Sequence, residues 1–131
     1  MTKKVENTSV LIVDDYHILI KNMKTMLMQL GFKKIDSTDN GNNAIDMLHQ
    51  QPYDLVISDW NMEPLTGLEL LREVRNDNKF SDTLFLMVTT ESHHETITTA
   101  KAAGANGCLV KPFDAGILRS KLIDIIEERL H

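Results

Sequence analysis

"YDLVISDWNMEPLTGLELL", residues 53–71, carries an apolar run into an acid, Asp59, then passes Trp60, Asn61, Pro64 and Gly67 before helical spacing resumes. Continuous aliphatic and β-branched character, rather than strict alternation, is what a parallel strand covered on both faces requires. Four more short runs read the same way: "SVLIVD" (9–14), "KKIDST" (33–38), "TLFLMVTT" (83–90) and "GCLVK" (107–111).

The stretches between these runs have helical spacing. Leu19, Met23, Met26, Leu27 and Leu30 recur at i, i+4, i+7, i+8 and i+11 and stop at Gly31, a pattern that predicts an amphipathic helix and its end. Ala44, Ile45 and Leu48 before Pro52 predict a shorter second helix. Thr66 with Glu69, and Ser92 with Glu95, have capping-box spacing and predict two further helix starts to within about a residue. Asp114 can cap a last helix whose inner face carries Leu118, Leu122 and Ile125. Strand and helix therefore alternate five times. The expectation is an α/β, doubly wound, five-stranded parallel sheet of flavodoxin-like order 2-1-3-4-5, with five helices on its two faces.

At 131 residues the expectation is a single domain, with a core over about 9–130 and no output domain. Lys and Arg total 14 against 19 acids, a net charge of −5, and no basic run exceeds two residues. That balance argues against nucleic-acid binding, which needs clustered positive charge. No segment has the length of a membrane span or the layout of a signal peptide, and the single Cys108 cannot form an internal disulfide. A cytoplasmic protein with no membrane insertion is the expectation.

Doubly wound sheets place their sites beyond the carboxyl ends of the strands. Those ends are Asp14 and Asp15, Asp59, Thr89 and Thr90, and Lys111 followed by Pro112. Three carboxylates at one edge repel one another unless a positive group lies between them. A hard divalent cation, Mg²⁺, supplies that charge, since it prefers a few carboxylates together with water and phosphate oxygens. With Lys111 to neutralise phosphate oxygens, one carboxylate can act as nucleophile and become an acyl phosphate. Asp59 is the best candidate because its strand is central.

The set "VDD", "ISDWNM" with Gly67, "MVTTE" and "VKPF", in order at four strand ends, resembles the receiver domain of two-component response regulators. The resemblance implies Asp59 as phosphoacceptor, with Mg²⁺ held by Asp14, Asp15, Asp59 and the backbone carbonyl of Asn61. It further implies that Thr89 hydrogen-bonds the phosphoryl group, that Lys111 pairs with it, and that the Lys111–Pro112 peptide is cis. Asn61 and Glu91 match the pair that tunes hydrolysis of the acyl phosphate. The implied donor is a histidine kinase or a histidine phosphotransfer protein. The implied output is a downstream target protein, bound through the face formed by residues 92–130, in chemotaxis or in a phosphorelay shuttle. Three departures stand out: Cys108 where the family usually has an aromatic residue, the bulkier Thr90 where a small one is common, and Met62-Glu63-Pro64, which moves a proline by one place.

Other classes fit less well. A phosphatase working through an aspartyl phosphate needs a second acid two residues after the nucleophile, where this chain has Asn61; the protein is expected to accept phosphorus and lose it again, not to be a turnover enzyme. A flavin carrier needs a hydroxyl-rich phosphate loop after the first strand, where "DDYHI" presents two negative charges instead. His93 and His94 read as a solvated helix start, Cys108 as a small buried hydrophobe with only Lys111 near it in sequence, and Met23, Met26 and Met28 as core and helix surface. Trp60, the only tryptophan, follows Asp59 in what reads as a surface loop and should report on the acidic site.

Overall fold

A computed structural model of the protein describes residues 5–91 and 93–130, with side chains through residue 126. After a short 3-10 turn, Val5–Asn7, five strands alternate with five helices: β1 Ser9–Val13, α1 His17–Gln29, β2 Lys34–Thr38, α2 Gly41–Gln50, β3 Leu55–Asp59, α3 Gly67–Asn76, β4 Leu84–Thr89, α4 His94–Ala102, β5 Gly107–Val110 and α5 Ala115–Leu130. All pairings are parallel, and the strand order is β2-β1-β3-β4-β5.

Alternation along each strand divides the core between two faces. Val10, Ile12, Leu55, Ile57, Leu84, Leu86, Val88 and Leu109 pack beneath α1 and α5, where they meet Ile20, Met23, Leu27, Leu118, Leu122 and Ile125. Leu11, Val13, Val56, Phe85 and Met87 pack beneath α2, α3 and α4 against Ala44, Leu48, Leu70, Leu71, Val74 and Ala100. The central strands β3 and β4 are buried at every position. That accounts for their uninterrupted apolar sequence.

Edge strand β2 departs from the expected pattern. Lys34 and Asp36 are exposed and only Thr38 is buried, so "KIDST" alternates as a strand with one wet face does. Charge on an edge also discourages pairing with another chain.

The helix starts follow local chemistry. Thr66 and Glu69 form a full capping box at α3, each side chain bonded to the other's backbone N–H. Asp114 Oδ1 accepts the Ile117 N–H at 2.8 Å at the start of α5. At α4, however, the cap position is His93, whose side chain makes no capping hydrogen bond. α4 therefore starts within a residue of where the Ser92–Glu95 spacing put it, and Ser92 itself lies outside the described residues. On α1 the buried face is centred on Ile20, Met23 and Leu27, while Leu19 is only half-buried. Leu19 lines a cavity that opens toward the strand ends instead.

At the opposite edge of the sheet, Arg75 joins three segments. Its guanidinium donates to the carbonyls of Gly104, Ser81 and Thr83 and to Asn106 Oδ1, which in turn accepts the Phe85 N–H. The planar fork of arginine suits such a set of fixed acceptors. Gly104 has φ +108° and lies where a Cβ would meet the Arg75 side chain at 3.0 Å, so glycine is required there on both counts.

Candidate functional site

The carboxyl ends of β1, β3 and β5 bring together residues far apart in sequence. Asp59 is the last residue of β3 and Asp14 follows β1; both are buried, and Asp15 beside them is exposed. One oxygen from each of the three carboxylates lies within 4.8 Å of the other two. Lys111, just past β5, donates to Asp59 Oδ1 at 3.0 Å and to Asp14 Oδ2 at 3.2 Å. A second oxygen of Asp14 accepts the Tyr16 N–H at 3.0 Å, which holds the turn from β1 into α1.

Burial pushes the Asp59 carboxyl above the ordinary aspartate range, and the neighbouring charges of Asp14 and Asp15 push the same way. The Lys111 ammonium opposes them without cancelling them. Three carboxylates against one ammonium leave a formal charge of −2 at this edge. A hard divalent cation neutralises that charge and takes oxygen ligands, so the donor set fits Mg²⁺ and does not fit the softer metals that favour Cys or His.

The backbone around Asp59 is held tightly. The Trp60 N–H donates to the Val88 carbonyl at 2.8 Å, and the Trp60 carbonyl accepts the Gly67 N–H at 2.9 Å. Gly67 therefore docks the start of α3 directly against the acid, where a Cβ would fall 2.2 Å from the Asp59 carbonyl oxygen. Trp60 is half-buried and packs against the core under α2, α3 and α4, a firmer seat than the expected surface loop. Asn61 is exposed.

Thr89 ends β4 with 1% of its surface exposed, and its hydroxyl accepts the Glu91 N–H at 3.0 Å. Thr90 is exposed. The Glu91 carboxylate accepts a hydrogen bond from Thr96 Oγ1 at 3.1 Å, a contact the sequence reading did not anticipate. The Lys111–Pro112 peptide is cis, as the resemblance implied, and so is Glu63–Pro64, which had not been expected.

Cys108 is half-buried and packs against the core under α2, α3 and α4. Burial pushes its thiol up, and the cations that partly offset this are Lys121 and Lys101, not Lys111 as the sequence spacing suggested. The Lys111 ammonium is engaged by the two aspartates instead. A raised thiol pKa means that the protonated form favours the fold, a contribution present below the free-cysteine pKa and lost as pH rises through the raised value. Iodoacetamide at pH 8 is therefore expected to label Cys108 several-fold more slowly in the folded than in the denatured protein. Equal rates in the two states would contradict this placement.

The model of the response regulator receiver domain family matches residues 10–123. The chain belongs to that family, whose members are phosphoacceptors in two-component signalling. It is 42% identical over 118 residues to the chemotaxis protein CheY of Pseudomonas aeruginosa, spanning 90% of this chain and 95% of that protein. It is 41% identical over 125 residues to the chemotaxis protein CheY-3 of Vibrio cholerae, spanning 95% of each. Among solved structures, the chemotaxis response regulator CheY4 of Vibrio cholerae superposes with a TM-score of 0.84 at 33% identity, over 90% of this chain and 98% of that one. The receiver domain of a sensor histidine kinase from Pseudomonas aeruginosa PAO1, whose structure has a magnesium ion in its active-site cleft, shares the fold with a TM-score of 0.82 at 24% identity, over 92% and 98% of the two chains. Among the described residues, no helix is long and apolar enough to cross a membrane.

Proposed function

We propose that Asp59 accepts a phosphoryl group from a histidine kinase or a histidine phosphotransfer protein, and that the resulting acyl phosphate signals by changing which protein the chain binds. The observation that carries this reading is the contact of Lys111 Nζ with Asp59 Oδ1 at 3.0 Å, inside a cluster that also contains Asp14 and Asp15. In the transfer, an Asp59 oxygen attacks phosphorus in line, the bond from phosphorus to the donor's imidazole nitrogen breaks, and that nitrogen keeps the electron pair. Lys111 moves from pairing with a carboxylate to pairing with phosphoryl oxygens. The Thr89 hydroxyl, which accepts from Glu91, retains its own proton to donate to the phosphoryl group.

Asp14, Asp15, Asp59 and the backbone carbonyl of Asn61 would hold Mg²⁺. Bound there, the ion supplies the positive charge that offsets phosphoryl oxygens beside three carboxylates. Asn61 has no proton to give or take at neutral pH, so the chain is an acceptor that returns slowly to its starting state and not a turnover phosphatase. The chemotaxis relatives favour that pathway over a phosphorelay shuttle, with the face of α4, β5 and α5 as the surface a target reads.

Two measurements test the reading. Mg²⁺ is expected to change the emission of Trp60, adjacent to Asp59, in a saturable titration that Asp14→Ala weakens. Intact-mass analysis after incubation with acetyl phosphate is expected to show a single added phosphoryl group with Mg²⁺ and far less after chelation. Equal labelling with and without the ion would remove the metal from the account.

A further inference from the structure

At the start of α4 the His93 carbonyl accepts the N–H groups of Thr96 and Ile97, but the His93 side chain makes no capping hydrogen bond. A carboxylate from outside the helix reaches this end. Glu91 lies two residues before the cap position, and its Oε2 accepts from Oγ1 of Thr96, the third residue of α4, at 3.1 Å. The free amides and macrodipole at a helix start favour negative charge there, so the helix and the hydroxyl draw Glu91 the same way. The N–H of Glu91 meanwhile donates to Thr89 Oγ1 at 3.0 Å. Glu91 is thus gripped at its backbone by the buried hydroxyl that ends β4, and at its side chain by α4. Because Glu91 is exposed, packing does not fix its side chain.

We propose that Thr96 is a positioning residue for the phosphoryl chemistry: its hydroxyl holds the Glu91 carboxylate on α4, away from water approaching a phosphorylated Asp59, and so sets how long the acyl phosphate lasts. The inference rests on the assignment of Asp59 as the acceptor. Hydrolysis forms a bond from water oxygen to phosphorus and breaks the bond from phosphorus to the Asp59 oxygen. The products are the Asp59 carboxylate and dihydrogen phosphate, which keeps both protons of the water. A carboxylate freed from Thr96, one residue beyond the loop start at Thr90, can accept a hydrogen bond from that water and orient it. Holding Glu91 on α4 withholds that help.

Thr96→Val removes the donor and keeps the β-branched shape, while Thr96→Ser keeps the donor. Each variant is labelled with acetyl phosphate and Mg²⁺, the donor is removed, and loss of label is followed by intact mass. Thr96→Val is expected to shorten the half-life about threefold, the scale of losing one modest hydrogen bond, with Thr96→Ser close to wild type. In a Glu91→Ala background Thr96→Val is expected to have no further effect. Amide exchange in the unphosphorylated protein gives a second readout, with faster exchange at the Glu91 N–H in Thr96→Val and not in Thr96→Ser. An unchanged half-life, the same shortening with and without Glu91, or unchanged exchange at Glu91 overturns the proposal. A wild-type protein that takes no label overturns the Asp59 assignment itself, and the exchange result then still decides whether Thr96 holds Glu91.

Discussion

Asp59→Asn is expected to take up no phosphoryl group from acetyl phosphate and Mg²⁺ under conditions that label the wild type, and to be more stable than the wild type in Mg²⁺-free buffer at pH 7. Loss of labelling follows from the chemistry, because an amide oxygen is no nucleophile and cannot become an acyl phosphate. The gain in stability follows from the balance of charge. Burial and the carboxylates of Asp14 and Asp15 disfavour the ionised Asp59 more than Lys111 favours it, as the upward direction of its shift records. With a folded-state pKa above the unfolded one, stability falls as pH rises from the ordinary aspartate value through the raised one, and the penalty persists at neutral pH. Like charges a few ångströms apart cost a few kcal/mol at an effective dielectric near 20, and losing the attraction of Lys111 offsets much of that. The net gain is on the order of 1 kcal/mol, or roughly 3 °C in Tm for a domain of this size. It should shrink at pH 3, where the wild-type carboxyl is protonated in both states. A thermal melt at the two pH values checks the sign, and an Asp59→Asn protein that melts lower at pH 7 would show that the Lys111 pair outweighs the repulsion.

Gly67→Ala is expected to damage both fold and site. A Cβ there would lie 2.2 Å from the Asp59 carbonyl oxygen, 2.9 Å from Trp60 Cα and 3.0 Å from the Asp59 carbonyl carbon, all of them backbone atoms that cannot rotate aside. Either α3 retreats, breaking the Gly67 N–H to Trp60 carbonyl bond, or the end of β3 shifts and carries Asp59 off Lys111. Overpacking of this kind costs about 1–3 kcal/mol. Misplacing a reacting group by about 1 Å costs on the order of 100-fold in rate. The expected result is a Tm lowered by several degrees together with labelling slowed at least tenfold in the protein that remains folded. Wild-type labelling kinetics in Gly67→Ala would mean that the approach of α3 has no part in placing Asp59. Glycine in this position is required by space and not by backbone conformation, since its φ lies outside the left-handed region.

Much of this was legible because the central strands are monotonous. β3 and β4, buried on both faces, spell their burial residue by residue, so the polar residues that end them stand out as the site. The Thr66–Glu69 and Asp114 caps were readable because capping is local, decided within four residues. What could not be read depends on contacts between distant segments. The seat of Lys111 against Asp14 as well as Asp59 spans 97 and 52 residues of sequence. The cations beside Cys108 come from α4 and α5, so proximity in sequence pointed to the wrong lysine. Ile20 replaces Leu19 on the buried face of α1 because the angle at which that helix lies on the sheet sets which residue turns inward, and spacing alone leaves it free by one position. β2 looked apolar through Ile35, yet its place at the sheet edge lets Lys34 and Asp36 face water. Glu91, matched by resemblance to a tuning role, gave no sign in sequence that Thr96 would hold it.

The central claim is that one carboxylate of three, Asp59, carries the phosphoryl group. The most direct measurement is to label the wild-type protein with acetyl phosphate and Mg²⁺, reduce the acyl phosphate with borohydride, and locate the modified residue by peptide mass analysis. The account predicts reduction of the Asp59 side chain to the alcohol, with Asp14 and Asp15 unmodified. Reduction at Asp14 or Asp15, or no residue reduced in protein whose intact mass shows the added phosphoryl group, would contradict it.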